Sequence, residues 1–556
     1  MTASRADAGN RPRQSTPTLD RALEILCSPE LAPMVEMVVH SPEAGTYEVR
    51  SIDGRIRFSR DGGEPVGPDA GEADAGETAI GAQASRPRRA STPGRPVAPP
   101  PGDWRYTITG IDGRNPLHRQ DPTWFSPLAT EIAHRQPSRE ENSYPLAFER
   151  IAQLFDHPCA PDLCVLHTAS HRPTAHRGEH GSLDVVQSRA PMVAAGPGIR
   201  RQGLVDGWCR VVDLAPTVLA LMGAPTRTGI GPDGRVARDL HLARQDGKVL
   251  DHILDPTTGP ADHVVVVLMD GANANVLYRA AAQGTMPHLG GLVERGTALA
   301  HGAVASLPTV TLANHTSLHT GCHPGHHGVL HNAWYDRSLG REVVTESAAT
   351  WQESMQWLAP GIETIHEAVH RTRPGAFTAS VNEPADRGSD YSTMELMRRG
   401  EVGRLMEDLP AQLPGADEAS MAEFDEYRWG SLVDVSALRQ AVSILEGSHL
   451  GADFDMPAFM WVSFSVTDAA FHCGGPYSEV AQHSLADTDA RLGQLLEAID
   501  RRGMLERTAI FVVADHGMEE TAEDAPGDWG DVLRSAGIAH RDEASGFLYL
   551  DAHGGH

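Results

Sequence analysis

Apolar residues in this chain gather into short, nearly continuous runs separated by amphipathic stretches. The runs DLCVLHT (162–168), PMVAAG (191–196), HVVVVLMD (263–270), AFMWVSFSVTD (458–468) and RTAIFVVAD (507–515) show little polar alternation, as expected of strands buried on both faces of a sheet. Between them, DLAPTVLALMG (213–223) reads as a helix that Asp213 caps and Gly223 stops, and residues 478–503 read as a longer one. From about residue 140 onward the alternation predicts an α/β fold, a mostly parallel sheet sandwiched by helices. Near the front, 34–40 and 46–59 read as strands joined at Asp53-Gly54, a hairpin signal, so 1–61 is expected as a small β-rich segment. Residues 62–102 are rich in Gly, Ala and Pro with no apolar period, a composition that predicts a disordered loop.

The chain has 556 residues, enough for two to four domains or one large α/β domain with insertions. Its net charge of −27 argues against a nucleic-acid duplex or an anionic membrane as a partner, since either needs a basic face. A small anionic substrate stays open if metal ions reverse the local field. Six cysteines, at 27, 159, 164, 209, 322 and 473, make no dense disulfide framework. The first residues hold no apolar leader core, and runs such as VVVVLM (264–269) fall far short of a bilayer span. A soluble cytoplasmic protein is therefore expected. The 28 histidines direct attention to metal sites.

Three predicted strands end in a carboxylate: Asp270, Asp468 and Asp515. Open parallel sheets bind ligands beyond the carboxyl ends of their strands, so the three can meet in one crevice; each alone also reads as a turn or cap residue. Asp468 and His472 are four apart, which on a helix puts both on one face. Asp515 is followed by His516. Oxygen and nitrogen donors without thiolate suit Zn²⁺ or Mn²⁺. Thr311 stands at a predicted helix start, where an anion and a deprotonated hydroxyl are favoured; it serves equally as a plain N-cap or as a nucleophile.

Taken together, VVVVLMDG, PTVTLANHTSLHTGCHPGHHGVLHN, TDAAFH and VVADHGM resemble the alkaline phosphatase superfamily, and within it the type I phosphodiesterase/nucleotide pyrophosphatase family with its phosphonoacetate hydrolase relatives. The resemblance implies an alkaline-phosphatase-like fold and two divalent metal ions, zinc with manganese as the alternative. It implies that Asp270, Thr311, Asp515 and His516 hold one ion, with Thr311 the nucleophile. Asp468 and His472 begin the second site. Asn332 matches the family's asparagine for a non-bridging phosphoryl oxygen.

The family's late histidine has no place after DHGM, because only 38 residues follow. Residues 178–223 instead resemble the segment that closes the family's domain, with His180 as the missing ligand, which implies a circular permutation. The expected order is 262–556 followed by 17–240. The domain reading is then 103–240 as the permuted closing part, 241–261 as linker, and 262–556 as the main metal-binding part with a cap insertion at about 337–455. His553 and His556 are rival ligands. Histidines 315, 319, 323, 326, 327 and 331 are expected in structural or supporting roles, and Asn382, Glu383, Asp386 and Arg387 as substrate contacts.

The expected activity is hydrolysis of phosphodiester or pyrophosphate bonds in a small phosphate- or phosphonate-containing substrate, through a phospho-threonine intermediate. The alternatives are a phosphomonoesterase or phosphonate hydrolase on the same frame, and a catalytically silent metal-binding relative. A sulfatase is disfavoured because Cys322-His-Pro-Gly-His lacks the required Arg.

Overall fold

The computed structural model describes residues 17–61, 104–224, 245–347, 350–406, 425–544 and 546–550. The expected disordered loop at 62–102 and the rival ligands His553 and His556 lie outside them.

An eight-stranded sheet forms the centre. Its strands run, in spatial order, Tyr391–Ser392, Thr378–Val381, Phe459–Phe464, His263–Met269, Thr508–Val513, Met192–Ala195, Gly296–Leu299 and Gly203–Val205. The first five are mutually parallel. Met192–Ala195 runs antiparallel to both of its neighbours. His263–Met269 is buried on both sides from Val264 onward, which explains its unbroken run of Val and Leu. Helices cover both faces. Glu479–Arg501 begins at Ser478, whose hydroxyl accepts from the Ala481 amide. Leu214–Leu221 stops before Gly223 at φ +80°. Asp213 does not cap that helix with its side chain; it binds Arg210 and the Lys248 amide instead.

A second, seven-stranded sheet is wholly antiparallel and draws on both ends of the chain. Its order is Arg541–Glu543, Phe547–Tyr549, Leu163–His167, Val35–Glu43, Thr46–Ser51, Gly54–Asp61 and Arg105–Gly113. The run at 162–168 therefore does not join the parallel sheet. Leu163 and Val165 pack with the helix Pro17–Leu26 and Trp529, while Cys164 and Leu166 face Met37, Val39 and Trp334. Burial on both sides erased the alternation that marks most antiparallel strands. The front segment is accordingly part of a large sheet and not a small one. Residues 337–455, expected as a cap, supply two strands of the central sheet and the helix Asp425–Glu446 packed on it.

Among the described residues no two cysteines form a disulfide. Among the described residues, no helix is long and apolar enough to cross a membrane.

Candidate metal centre

Asp270, Asp468 and Asp515 converge at the carboxyl edge of the parallel strands, although the run expected as a strand ending at Asp468 stops at Phe464 and Asp468 lies on the helix that follows. Asp270 follows His263–Met269, and its amide donates to the Phe464 carbonyl at 2.9 Å. Asp515 leaves the adjacent strand, and its Oδ1 accepts from the Gly271 amide at 3.1 Å. Asp468 sits in the first turn of the helix Val466–Gly474, one turn before His472. Gly271 has φ +66°, and a Cβ there would lie 2.5 Å from Asp468 Oδ1; only glycine lets these strand ends approach so closely.

The three expected histidine ligands share one device. His180 Nδ1 donates to the Thr309 carbonyl at 2.8 Å, His472 Nδ1 to the Gly178 carbonyl at 2.8 Å, and His516 Nδ1 to the Gly517 carbonyl at 3.0 Å. A carbonyl only accepts, so each ring carries its proton on Nδ1 and turns the Nε2 lone pair toward the carboxylates. His180 Nε2 lies 3.9 Å from Asp468 Oδ1, and His472 Nε2 lies 3.6 Å from Asp468 Oδ2. His516 Nε2 is 3.1 Å from Asp515 Oδ2 and 3.9 Å from Asp270 Oδ1. Two donor groups result, one of His180, Asp468 and His472, the other of Asp270, Asp468 and His516.

Asp270 Oδ1, Asp468 Oδ1, Asp515 Oδ2 and His315 Nε2 are buried without a hydrogen-bond partner. Uncompensated buried carboxylates are costly, and clustered ones more so. Burial, with Asp515 and Asp468 facing it, pushes the Asp270 carboxyl well above its usual range. Burial and the neighbouring His516 and His472 hold His180 well below the ordinary imidazole value, which keeps it neutral. Such a donor set fits divalent cations, which need deprotonated oxygen and nitrogen ligands.

Thr311 opens the helix Thr311–Thr320, with Val310 rather than Thr311 as its N-cap. Its Oγ1 is 3.4 Å from His516 Nε2. Asn332 Oδ1 accepts from the Leu312 amide at 3.2 Å, which leaves its amide NH₂ as a donor beside the same helix end. The surrounding cavity of about 540 Å³ is lined by Thr311, Asn332, Asp270, Asp468, His180 and His472, and further out by Leu166, His331, Trp351, Trp429, Trp529 and Phe547. Burial pushes His331 down to about 3, so it stands there neutral. No lysine or arginine is among the described residues lining this cavity.

The remaining histidines differ from one another. His319 packs at a tilt against Trp461, His323 binds Ser306 and Glu149, His326 bridges Asp156 and Asp246, and His327 bonds to Ser317 and the Ala313 carbonyl. His315 instead joins Asp270 and Asp515 in a third group of possible ligand atoms. Glu383 is no substrate contact: it is fully buried and binds His315 Nδ1 at 2.8 Å. Burial raises the Glu383 carboxyl, but His315 beside it prevails and holds it down to about 2. Asp386 and Arg387 also lie outside the metal cavity, engaged with Arg398 and Glu367. No sequence signal tied Glu383 to His315, because the pairing spans 68 residues.

A family model for type I phosphodiesterase / nucleotide pyrophosphatase matches residues 264–555. An uncharacterized pyrophosphatase/phosphodiesterase of Schizosaccharomyces pombe is 24% identical over 286 residues, 50% of this chain and 49% of that protein. Ectonucleotide pyrophosphatase/phosphodiesterase family member 3 of Mus musculus is 24% identical over 225 residues, 40% of this chain and 21% of that one. The alkaline phosphatase PafA of Elizabethkingia meningoseptica is 22% identical over 324 residues, covering 46% and 59%. The chain thus spans about half the length of the yeast relative and about a fifth of the mouse one.

Proposed function

Because this chain belongs to the type I phosphodiesterase / nucleotide pyrophosphatase family, we propose that it is a two-metal hydrolase of phosphodiester or pyrophosphate bonds that works through a phospho-threonine intermediate. The observation that carries the reading is the trio of histidines tied by Nδ1 to main-chain carbonyls, with each Nε2 aimed at buried, unpartnered carboxylates. Asp270, Thr311, Asp515 and His516 would hold one ion, and His180, Asp468 and His472 the other. Two such ions, zinc by the donor set with manganese second, would supply Lewis acidity for the nucleophile and neutralise charge on the phosphoryl group.

The protein's own groups do the rest. Thr311 Oγ1 forms a bond to phosphorus as the bond to the leaving ester oxygen breaks in line. The Asn332 amide NH₂, set by the Leu312 amide that its Oδ1 accepts from, holds a non-bridging oxygen as charge gathers on it. Water then attacks phosphorus from the side the leaving oxygen vacated, in line with the Thr311 Oγ1–phosphorus bond, which breaks to release the phosphate product; the proton that water gives up restores the Thr311 hydroxyl, whose own proton left with the departing alcohol. Catalysis rests mainly on positioning and electrostatics.

The cavity lining favours a diester over a monoester. A monoester dianion carries one more charge, and among the described lining residues no lysine or arginine meets it, whereas Glu179 and Glu346 are present. All seven expected donor positions are filled, which weighs against a silent relative. We read the chain as circularly permuted, with its domain split as the sequence suggests. Met192–Ala195 supports this, lying beside Thr508–Val513 although it precedes every parallel strand in the chain. We read the site of action as cytoplasmic, in keeping with six cysteines spread thinly along the sequence.

Thr311→Ala tests the reading. The variant is expected to keep its metal and fold while turnover of bis(p-nitrophenyl) phosphate falls about 10³-fold or more. A variant that hydrolyses the diester as fast as the parent removes Thr311 as nucleophile.

A further inference from the structure

His315 and Glu383 lie behind the centre and take no part in the mechanism above. Both are almost fully buried. Glu383 is held on three sides: its Oε2 accepts from Ser463 Oγ at 2.7 Å, its Oε1 accepts from the Ala385 amide at 2.8 Å, and His315 Nδ1 donates to it at 2.8 Å. Trp461 Nε1 donates to Ser463 Oγ at 3.0 Å, so the chain of bonds begins in the central strand Phe459–Phe464. With Nδ1 committed to Glu383, the imidazole can turn only Nε2 toward the centre. That atom lies 3.8 Å from Asp270 Oδ2 and 3.7 Å from Asp515 Oδ2 and has no hydrogen-bond partner. A buried imidazole fixed at one end by a carboxylate and facing two others at its free end is built to aim them.

We propose that His315, oriented by Glu383, is a positioning residue that sets Asp270 and Asp515 for the ion on the Thr311 side. The inference rests on the two-ion reading and adds to it a support that acts through those aspartates alone. Among the described residues the ion pairs and hydrogen bonds of His315 run to Asp270, Asp515 and Glu383, and not to His180, Asp468 or His472, so the effect falls mainly on the ion that Asp270 and Asp515 hold. Partners behind a metal ligand commonly govern affinity by about 10- to 100-fold.

The test is stepwise chelator competition against zinc-loaded protein, read as zinc released, on the parent, Glu383→Gln, His315→Gln and His315→Ala, with melting of the metal-free forms as the folding control. The parent releases two zincs. In Glu383→Gln one release step moves to about 10- to 100-fold lower chelator concentration and the other stays. Turnover of the diester falls through kcat, with KM within about threefold, and excess zinc restores it. His315→Gln, whose amide group still reaches toward the Nε2 position, retains more affinity than His315→Ala. Should Glu383→Gln fail to fold, Ser463→Ala, which removes one bond to Glu383, shifts the same step by a smaller factor. Two unchanged release steps in folded variants overturn the positioning role and leave the two-ion reading intact. A third zinc in the parent that His315→Ala alone loses makes His315 a ligand and also overturns it. A parent that binds no zinc overturns both.

Discussion

The cavity is walled by two stretches of chain that are built differently. Residues 262–550 bring Asp270, Asp515 and His516 to the centre by the ends of adjacent parallel strands and Asp468 by the helix that leaves the neighbouring strand, so sheet register largely places the side chains. Residues 104–224 bring His180 on a loop, and a loop needs other restraint. That restraint is a seam. The Gly181 amide donates to Thr309 Oγ1 at 2.9 Å, and Thr309 Oγ1 donates to the Ser182 carbonyl at 2.8 Å, two residues before Thr311. Below it, His326 joins Asp156 of the front stretch at 2.8 Å and Asp246 at 2.7 Å, and His323 joins Glu149 of the front stretch at 3.2 Å. A ligand placed by a sheet needs little beyond the sheet, whereas one placed across two stretches depends on polar bonds that can be cut singly.

Cutting the seam is the strongest way to separate the two walls. His326→Gln leaves Asp156 and Asp246 buried without their shared imidazolium and is expected to cost about 3 kcal/mol or more, measured by chemical denaturation. The pH dependence of that seam sharpens the same point. Burial lowers the His326 value, but Asp246 and Asp156 prevail and raise it to about 10, above the ordinary value near 6.5. Its contribution is therefore complete below about pH 6.5 and is lost as pH rises through about 10. The melting temperature of the parent should fall over that window, and His326→Gln should flatten the decline. The smallest effect belongs to the rim. Trp429 is 59% exposed, so Trp429→Ala should change stability by about 0.5 kcal/mol or less, with any effect appearing in KM for the diester.

Much of the parallel sheet and its strand-end carboxylates was legible in the sequence, because their signals are local. Asp468 and His472 share a helical turn, and continuous Val and Leu runs mark doubly buried strands. The sequence misplaced 162–168 for the same reason: packing on Trp529 on one face and Trp334 on the other erases the alternation that distinguishes the two kinds of sheet. Glu383 was invisible as the partner of His315, since nothing local joins a residue after Thr378–Val381 to one on the Thr311 helix. The stretch at 337–455 looked like an insertion because its two short strands, of four and two residues, carry too little pattern to announce a sheet.

The most direct test of the account counts metal and diester turnover in the parent and in His180→Ala after zinc loading. The account predicts about two zincs per parent chain with turnover of bis(p-nitrophenyl) phosphate, and one zinc with turnover reduced about 10²-fold or more in the variant. A variant that keeps both ions and full activity contradicts it, because the front stretch would then contribute no ligand to the centre.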